Sequence, residues 1–188
     1  GEGSVLAAPS LVVLATRELV MAYASAGTIW LARTDTSGRG FTRVDGDPMT
    51  SRREPILTAA PVSRDGGAPS FESGEVGDPE LEREVTTTGR AIWRLYYSAR
   101  SAEGAMDGGV MPEVVIGMAG SFDGVHFERL GAPVLRATGD RGVAAPSVLA
   151  DGPRRTMMYV GSRCDLSRLR RGVRANVAPV TERLPTIE

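Results

Sequence analysis

The sequence predicts an all-β protein built from repeated antiparallel sheets, and three observations favour this class. One pattern occurs three times: a small residue or Asp, then Pro, a short strand, a turn, and an apolar strand that contains Tyr. The apolar runs are short, rich in β-branched and aromatic residues, and separated by Gly-containing turns. Helical periodicity sustained over about ten residues is nearly absent. We therefore expect successive hairpins.

The three copies begin at prolines that are almost evenly spaced. Pro9, Pro79 and Pro146 are 70 and then 67 residues apart. Each proline precedes an apolar strand, and these strands cover residues 19–25, 94–99 and 156–162. A fixed period of this kind indicates one supersecondary unit that stacks on its own copies.

A second half-repeat completes a four-stranded unit in the first two copies. Residues 29–32 and 41–44 correspond to residues 116–119 and 127–130. Asp-Gly pairs supply the positive φ that tight turns between antiparallel strands need. We expect the repeats over residues 7–47, 77–135 and 143–188, long loops at 47–77 and 101–112, an extra strand near 55–58 and a helical turn at 165–171.

Composition argues against several functional classes. The net charge of −1 and the pI near 6.0 give no reason to expect nucleic acid as a partner. No apolar run approaches the roughly 20 residues of a membrane span. No metal-ligand spacing and no phosphate-binding glycine loop is present, so no metal and no cofactor is expected. The chain, with 188 residues, is long enough to bury a core without a disulfide.

The motifs that follow each proline come in a fixed order. A Tyr-Tyr-Ser-Ala or Met-Tyr-Val-Gly strand precedes Ile-Gly-Met-Ala, a Ser-Phe-Asp-Gly turn and a short aromatic strand. Over residues 7–163 this order resembles the blades of five-bladed β-propeller glycosidases of families 43, 32 and 68, which include arabinanases, xylosidases, levansucrases and invertases. The resemblance implies an oligo- or polysaccharide ligand and an extracellular, periplasmic or cell-surface location.

The resemblance also implies where acids would meet. In such enzymes the Asp before Pro begins the innermost strand of a blade, so that acids from several blades converge at the propeller axis. Hydrolysis needs two carboxyl groups across the glycosidic bond. Only Asp78 stands at such a position, because Ala8 and Ala145 occupy the equivalent places. Asp78 is therefore the predicted catalytic residue or sugar-hydroxyl acceptor; the alternative is an Asp that caps a loop before Pro79.

Three further residues are predicted to bind substrate: Glu80, Arg53 and Glu54. Glu80, Glu82 and Glu84 alternate on one face of the strand after Asp78. Glu80 lies nearest the axis and is the predicted partner, whereas Glu82 and Glu84 are expected to be solvated. Arg53 and Glu54 lie in the long loop at 47–77 and can reach from it into the cavity at the propeller axis. For Glu54 the alternative is a surface ion pair with neighbouring arginines.

Three repeats cannot close a propeller, which typically has 4 to 8 blades. We therefore expect a missing segment, another chain or a second copy of this chain to complete the ring, unless the sheets form an open array. Three functions stay open at this point: a glycosidase or its catalytic part, a non-catalytic propeller that binds glycans or proteins, and a structural subunit of a larger assembly.

Overall fold

The computed structural model describes residues 7–50, 52–60, 70–102, 113–137, 141–152 and 154–163. These residues form ten strands and no helix: β1 (Ala7–Val13), β2 (Leu19–Ser25), β3 (Thr28–Arg33), β4 (Thr42–Arg43), β5 (Glu75–Val85), β6 (Ala91–Arg100), β7 (Val114–Ser121), β8 (Glu128–Arg129), β9 (Arg141–Asp151) and β10 (Arg154–Arg163). The predicted all-β class is confirmed. Within this part of the chain, no helix is long and apolar enough to cross a membrane.

The strands form three antiparallel sheets in chain order. The first sheet has the order β1-β2-β3-β4 and the second has the order β5-β6-β7-β8, so both are four-stranded meanders, as predicted. The third sheet pairs β9 with β10. We call these sheets blades 1, 2 and 3. The helical turn expected at 165–171 falls outside the described residues, and the strand expected near 55–58 is an isolated bridge between Leu57 and Ile29.

Each blade has the same irregularity at the repeated proline. The register between the first two strands shifts between residues 7 and 10, between 77 and 80, and opposite residues 144–147. The residue before each proline has a positive φ: 48° at Ala8, 43° at Asp78 and 50° at Ala145. Such a conformation costs a non-glycine residue about 1–3 kcal/mol, so the surrounding sheet must hold it in place. The three copies are therefore equivalent residue by residue at this β-bulge.

Consecutive blades pack face to face through two buried clusters. The cluster between blades 1 and 2 contains Ile29, Leu31 and Leu95, and the cluster between blades 2 and 3 contains Tyr96 and Ile116; all five side chains are fully buried. Because alternate residues of a strand point to opposite faces, β6 supplies neighbouring residues to both clusters. Blade 2 is thus covered on both faces, which explains why its central strands read as nearly continuous apolar runs.

Gly117 in β7 lies directly against the ring of Tyr97. A Cβ atom at this position would lie 2.7 Å from Cε2 of Tyr97, whereas a Cβ at Gly77 in the same sheet would meet nothing within 4 Å. We expect Gly117→Ala to lower the free energy of unfolding by about 1–3 kcal/mol, because overpacking moves a buried ring. Gly77→Ala is the matched control and should change it little. Urea denaturation measures both, and equal effects of the two substitutions would contradict this packing.

Candidate functional site

Asp78 occupies the bulge on the innermost strand of blade 2 and is half-buried. Its Oδ2 atom accepts a hydrogen bond from the hydroxyl of Ser98 at 2.9 Å. The same hydroxyl accepts the N–H of Ala145 at 2.9 Å, so one side chain connects Asp78 to the bulge of blade 3. Among the described residues, none bonds the Oδ1 atom of Asp78. The carboxylate is thus oriented through one oxygen and open at the other.

Ser98 is a site residue that the sequence analysis missed. It stands in the Tyr-Tyr-Ser-Ala strand opposite Gly77. The equivalent positions, opposite Ala7 and Ala144, hold Ala24 and Val160. A hydroxyl that occurs only in the blade that carries the Asp was the available signal.

Glu80 is engaged at both carboxylate oxygens. Oε2 accepts the hydroxyl of Ser10 in β1 at 2.9 Å, and Oε1 accepts the N–H of Val148 in β9 at 3.3 Å. The hydroxyl of Ser10 also accepts the N–H of Leu81 at 2.9 Å. Glu80 therefore links the innermost strands of all three blades, and a role in binding substrate stays a prediction.

Arg53 and Glu54 lie on a segment that follows the outer strands of blade 1. The N–H of Glu54 donates to Oδ1 of Asp45 at 2.9 Å, and its carbonyl accepts the N–H of Gly46 at 2.9 Å. Asp45 and Gly46 follow β4, whereas Asp78 is on the innermost strand of blade 2. Among the described residues, no hydrogen bond or ion pair joins this segment to Asp78 or Glu80, so the substrate-binding role of Arg53 and Glu54 also stays a prediction.

The expectation that Glu82 is solvated was wrong, because its side chain is only 12% exposed. Glu84 is partly solvated, at 40% exposed, and arginines of blades 2 and 3 pair with both glutamates. Arg155 Nε lies 2.6 Å from Oε1 of Glu82, and Arg155 Nη2 donates to Oε2 of Glu84 at 2.7 Å. Arg94 Nη1 donates to the same Glu84 oxygen at 2.8 Å. The Arg155 and Arg94 side chains are only 8% and 10% exposed. We call these four residues the interblade ion cluster.

Burial and charge act differently on the members of the interblade ion cluster. Burial raises the pKa of Glu82, although the nearby guanidinium groups of Arg155 and Arg94 oppose it. The hydrogen bond from Arg94 lowers the pKa of Glu84, which is more exposed. Burial, and then the charge of Glu82, raises the pKa of Tyr96. The cluster pairs two positive with two negative groups and joins blade 2 to blade 3.

Glu72 is a second residue that the sequence analysis missed. Its side chain is 2% exposed, its Oε1 atom accepts the hydroxyl of Tyr97 at 2.6 Å, and its Oε2 atom lies 2.5 Å from Nε of Arg129. Burial and the Glu72 carboxylate raise the pKa of Tyr97. Glu72 precedes β5 in a Gly- and Ser-rich stretch, where a buried acid has no periodic signature.

In blade 1 the residue equivalent to Tyr97 is Tyr23, and its hydroxyl has a different partner. Tyr23 pairs with Trp30 there, and Arg43 Nε donates to the Tyr23 hydroxyl at 2.8 Å. The guanidinium of Arg43 also lies 4.3 Å from the Trp30 ring centroid. In blade 2 the residue opposite Tyr97 is Gly117, which makes room for the tyrosine ring. The difference between Trp30 in blade 1 and Gly117 in blade 2 was the sequence signal that another side chain, here that of Glu72, contacts Tyr97.

His126 lies in the turn before β8, and it is exposed. Its Nδ1 atom is 2.6 Å from Oδ2 of Asp123, and this hydrogen bond raises the pKa of His126. Across the described parts of the chain, no group of three His, Cys, Asp or Glu residues could hold a metal ion.

The comparisons with known proteins agree with this architecture. No protein-family model and no curated protein sequence matches the chain. Among solved structures, the chain is similar to a mutant GH32 β-fructofuranosidase of Bombyx mori in complex with sucrose, with a TM-score of 0.52 and 17% sequence identity. The match covers 85% of this chain and 30% of that one, so the chain spans less than a third of its length. The described residues therefore have the fold of β-propeller blades, and by themselves they do not close a ring.

Proposed function

We propose that this chain is the carbohydrate-binding part of a glycosidase-like propeller, with Asp78 accepting a hydrogen bond from a sugar hydroxyl. The supporting observation is that Asp78 is the one carboxylate at the three equivalent bulges. Its Oδ2 atom is held by Ser98, while no described residue bonds Oδ1. A charged acceptor that is already oriented loses little conformational freedom when it binds a hydroxyl.

The surroundings of Asp78 favour binding over hydrolysis by this chain alone. Glycoside hydrolysis needs a second carboxyl group across the scissile bond. Ala8 and Ala145 present methyl groups at the equivalent bulges, and both oxygens of Glu80 are engaged by neighbouring blades. The equivalent bulges and Glu80 therefore supply no second carboxyl group that is free to act across such a bond.

The proposal predicts that Asp78→Asn weakens sugar binding. A hydrogen bond to a charged group contributes about 1.5–3 kcal/mol, so the dissociation constant should rise about tenfold or more. Ser98→Ala should weaken binding less, because the carboxylate stays but loses its orientation, and Ser98→Thr should restore it. Calorimetric titration with sucrose and with short arabino-, xylo- and fructo-oligosaccharides measures these effects.

Asp151→Asn is the matched control, since it removes the same charge from an exposed position at the end of β9. Unchanged affinity in Asp78→Asn, or no binding of any of these sugars by the unmodified chain, would refute the proposed role. Turnover of aryl glycosides that Asp78→Asn abolishes would instead establish a catalytic function and overturn binding without hydrolysis.

A further inference from the structure

Among the described residues, no strand packs on one face of blade 1 or on one face of blade 3. On blade 1 the open face carries Leu11 and Val13, which are 55% and 69% exposed. On blade 3 it carries Leu149, Met158 and Val160, which are 63%, 41% and 48% exposed. We call these the leading face (blade 1) and the trailing face (blade 3).

The leading face repeats a surface that is covered in the other two blades. Leu11 pairs with Met21 one residue after the bulge, as Leu81 pairs with Leu95 and Val148 with Met157. Leu81 is 4% exposed and lies in the cluster between blades 1 and 2. Val148 packs in the cluster between blades 2 and 3. This position is thus covered wherever a blade precedes it.

On the trailing face, the repeated position is covered wherever a blade follows it. Met158 pairs with Ser147, as Ala22 pairs with Ser10 and Tyr96 with Glu80. Ala22 and Tyr96 are both fully buried, because the next blade covers them, while Met158 is 41% exposed. The trailing face is therefore the side on which a following blade packs.

A hydrogen bond repeats across both internal interfaces. The residue after each bulge proline accepts a backbone N–H of the next blade: Ser10 accepts from Leu81, and Glu80 accepts from Val148. Ser147 is the equivalent acceptor in blade 3; it is exposed, and its hydroxyl bonds none of the described residues.

The matching donor lies on the leading face. By the same strand register, the N–H of Leu11 corresponds to the N–H groups of Leu81 and Val148, at the free edge of β1. The two open faces therefore carry the two halves of one interface, both apolar and polar.

We infer that the trailing face of one copy of this chain docks on the leading face of a second copy. The second copy is the occupant because it carries both halves of the contact that the chain already makes twice internally. Two such head-to-tail contacts join six blades, a number within the range of closed propellers. This inference goes beyond the proposed sugar binding and does not depend on it.

Multi-angle light scattering after size exclusion tests the docking with one substitution on each face. The unmodified chain should elute as a dimer. Leu149→Glu on the trailing face and Leu11→Glu on the leading face should each raise the dissociation constant at least about tenfold, because each places a charge in an apolar contact. Val85→Glu is the matched control: Val85 is 51% exposed at the end of β5, and this variant should stay dimeric.

The mixture of the two face variants distinguishes head-to-tail docking from other contacts. A Leu149→Glu chain keeps its leading face and a Leu11→Glu chain keeps its trailing face, so equal amounts should form a heterodimer through one intact contact. Circular dichroism and thermal melts establish that each variant is folded. A monomeric unmodified chain with a cooperative melt, a single face variant that stays dimeric, or a mixture that does not associate would each overturn the inference.

Discussion

Arg155→Ala should lower the free energy of unfolding by about 3–5 kcal/mol, because it leaves the buried carboxylate of Glu82 without its closest positive charge. Arg155 is 8% exposed and Glu82 is 12% exposed, so water screens this pair weakly. The pairing with Glu84 contributes less, since that side chain is 40% exposed. Urea denaturation followed by the fluorescence of the buried Trp93 measures the loss.

Arg154→Ala is the matched control for this experiment, because Arg154 is the neighbouring residue of β10 and is exposed. It should change stability by less than about 0.5 kcal/mol. The double variant Glu82→Gln with Arg155→Met should recover part of the loss, since it removes both charges of the pair. A loss below about 1 kcal/mol for Arg155→Ala would show that the interblade ion cluster does not hold blades 2 and 3 together.

Glu72→Ala should be the second most damaging substitution, with a loss of about 2–4 kcal/mol. It removes the acceptor of the Tyr97 hydroxyl and the charge that pairs with Arg129. The tyrosine hydroxyl would then be buried without a partner. Glu72→Gln should give a stability between those of the unmodified chain and Glu72→Ala, because an amide oxygen can still accept the hydrogen bond from Tyr97 but carries no charge for Arg129.

Glu75→Ala provides the comparison for Glu72. Glu75 begins β5 and pairs with Arg100 at 3.2 Å, but its side chain is 52% exposed, so the substitution should cost at most about 1 kcal/mol. Urea denaturation gives both values, and hydrogen exchange at the amide of Glu72 reports whether the segment before β5 detaches first. A Glu72→Ala chain as stable as Glu75→Ala would contradict a stabilising role for the buried carboxylate.

Most of the strand pattern could be predicted from the sequence because its causes are local. Runs of β-branched and aromatic residues favour extended backbone over a few neighbouring positions. The even spacing of Pro9, Pro79 and Pro146 therefore identified the repeat, and the structure gives all three sites the same bulge.

The candidate site was predicted only in part. Asp78 was found because it replaces a small residue within a repeated motif. Ser98 and Glu72 were missed, since a serine in a strand and a glutamate in a loop carry no local mark of burial, and their signals appear only when the blades are compared with one another. The burial of Glu82 and the arginine pairing of Glu82 and Glu84 were not predicted, because alternation along one strand identifies a shared face but not what covers that face.

Local features of the sequence are sufficient to predict a row of repeated antiparallel sheets with one acid among the three positions that precede the repeated prolines, because strand alternation and turns act over a few residues. Which carboxylates are engaged depends on contacts between distant parts of the chain. Glu80 meets Ser10 across 70 positions of the chain, and Glu84 meets Arg155 across 71. Such pairings depend on how whole blades stack, and this leaves Asp78 with an open oxygen while its neighbours hold the blades together.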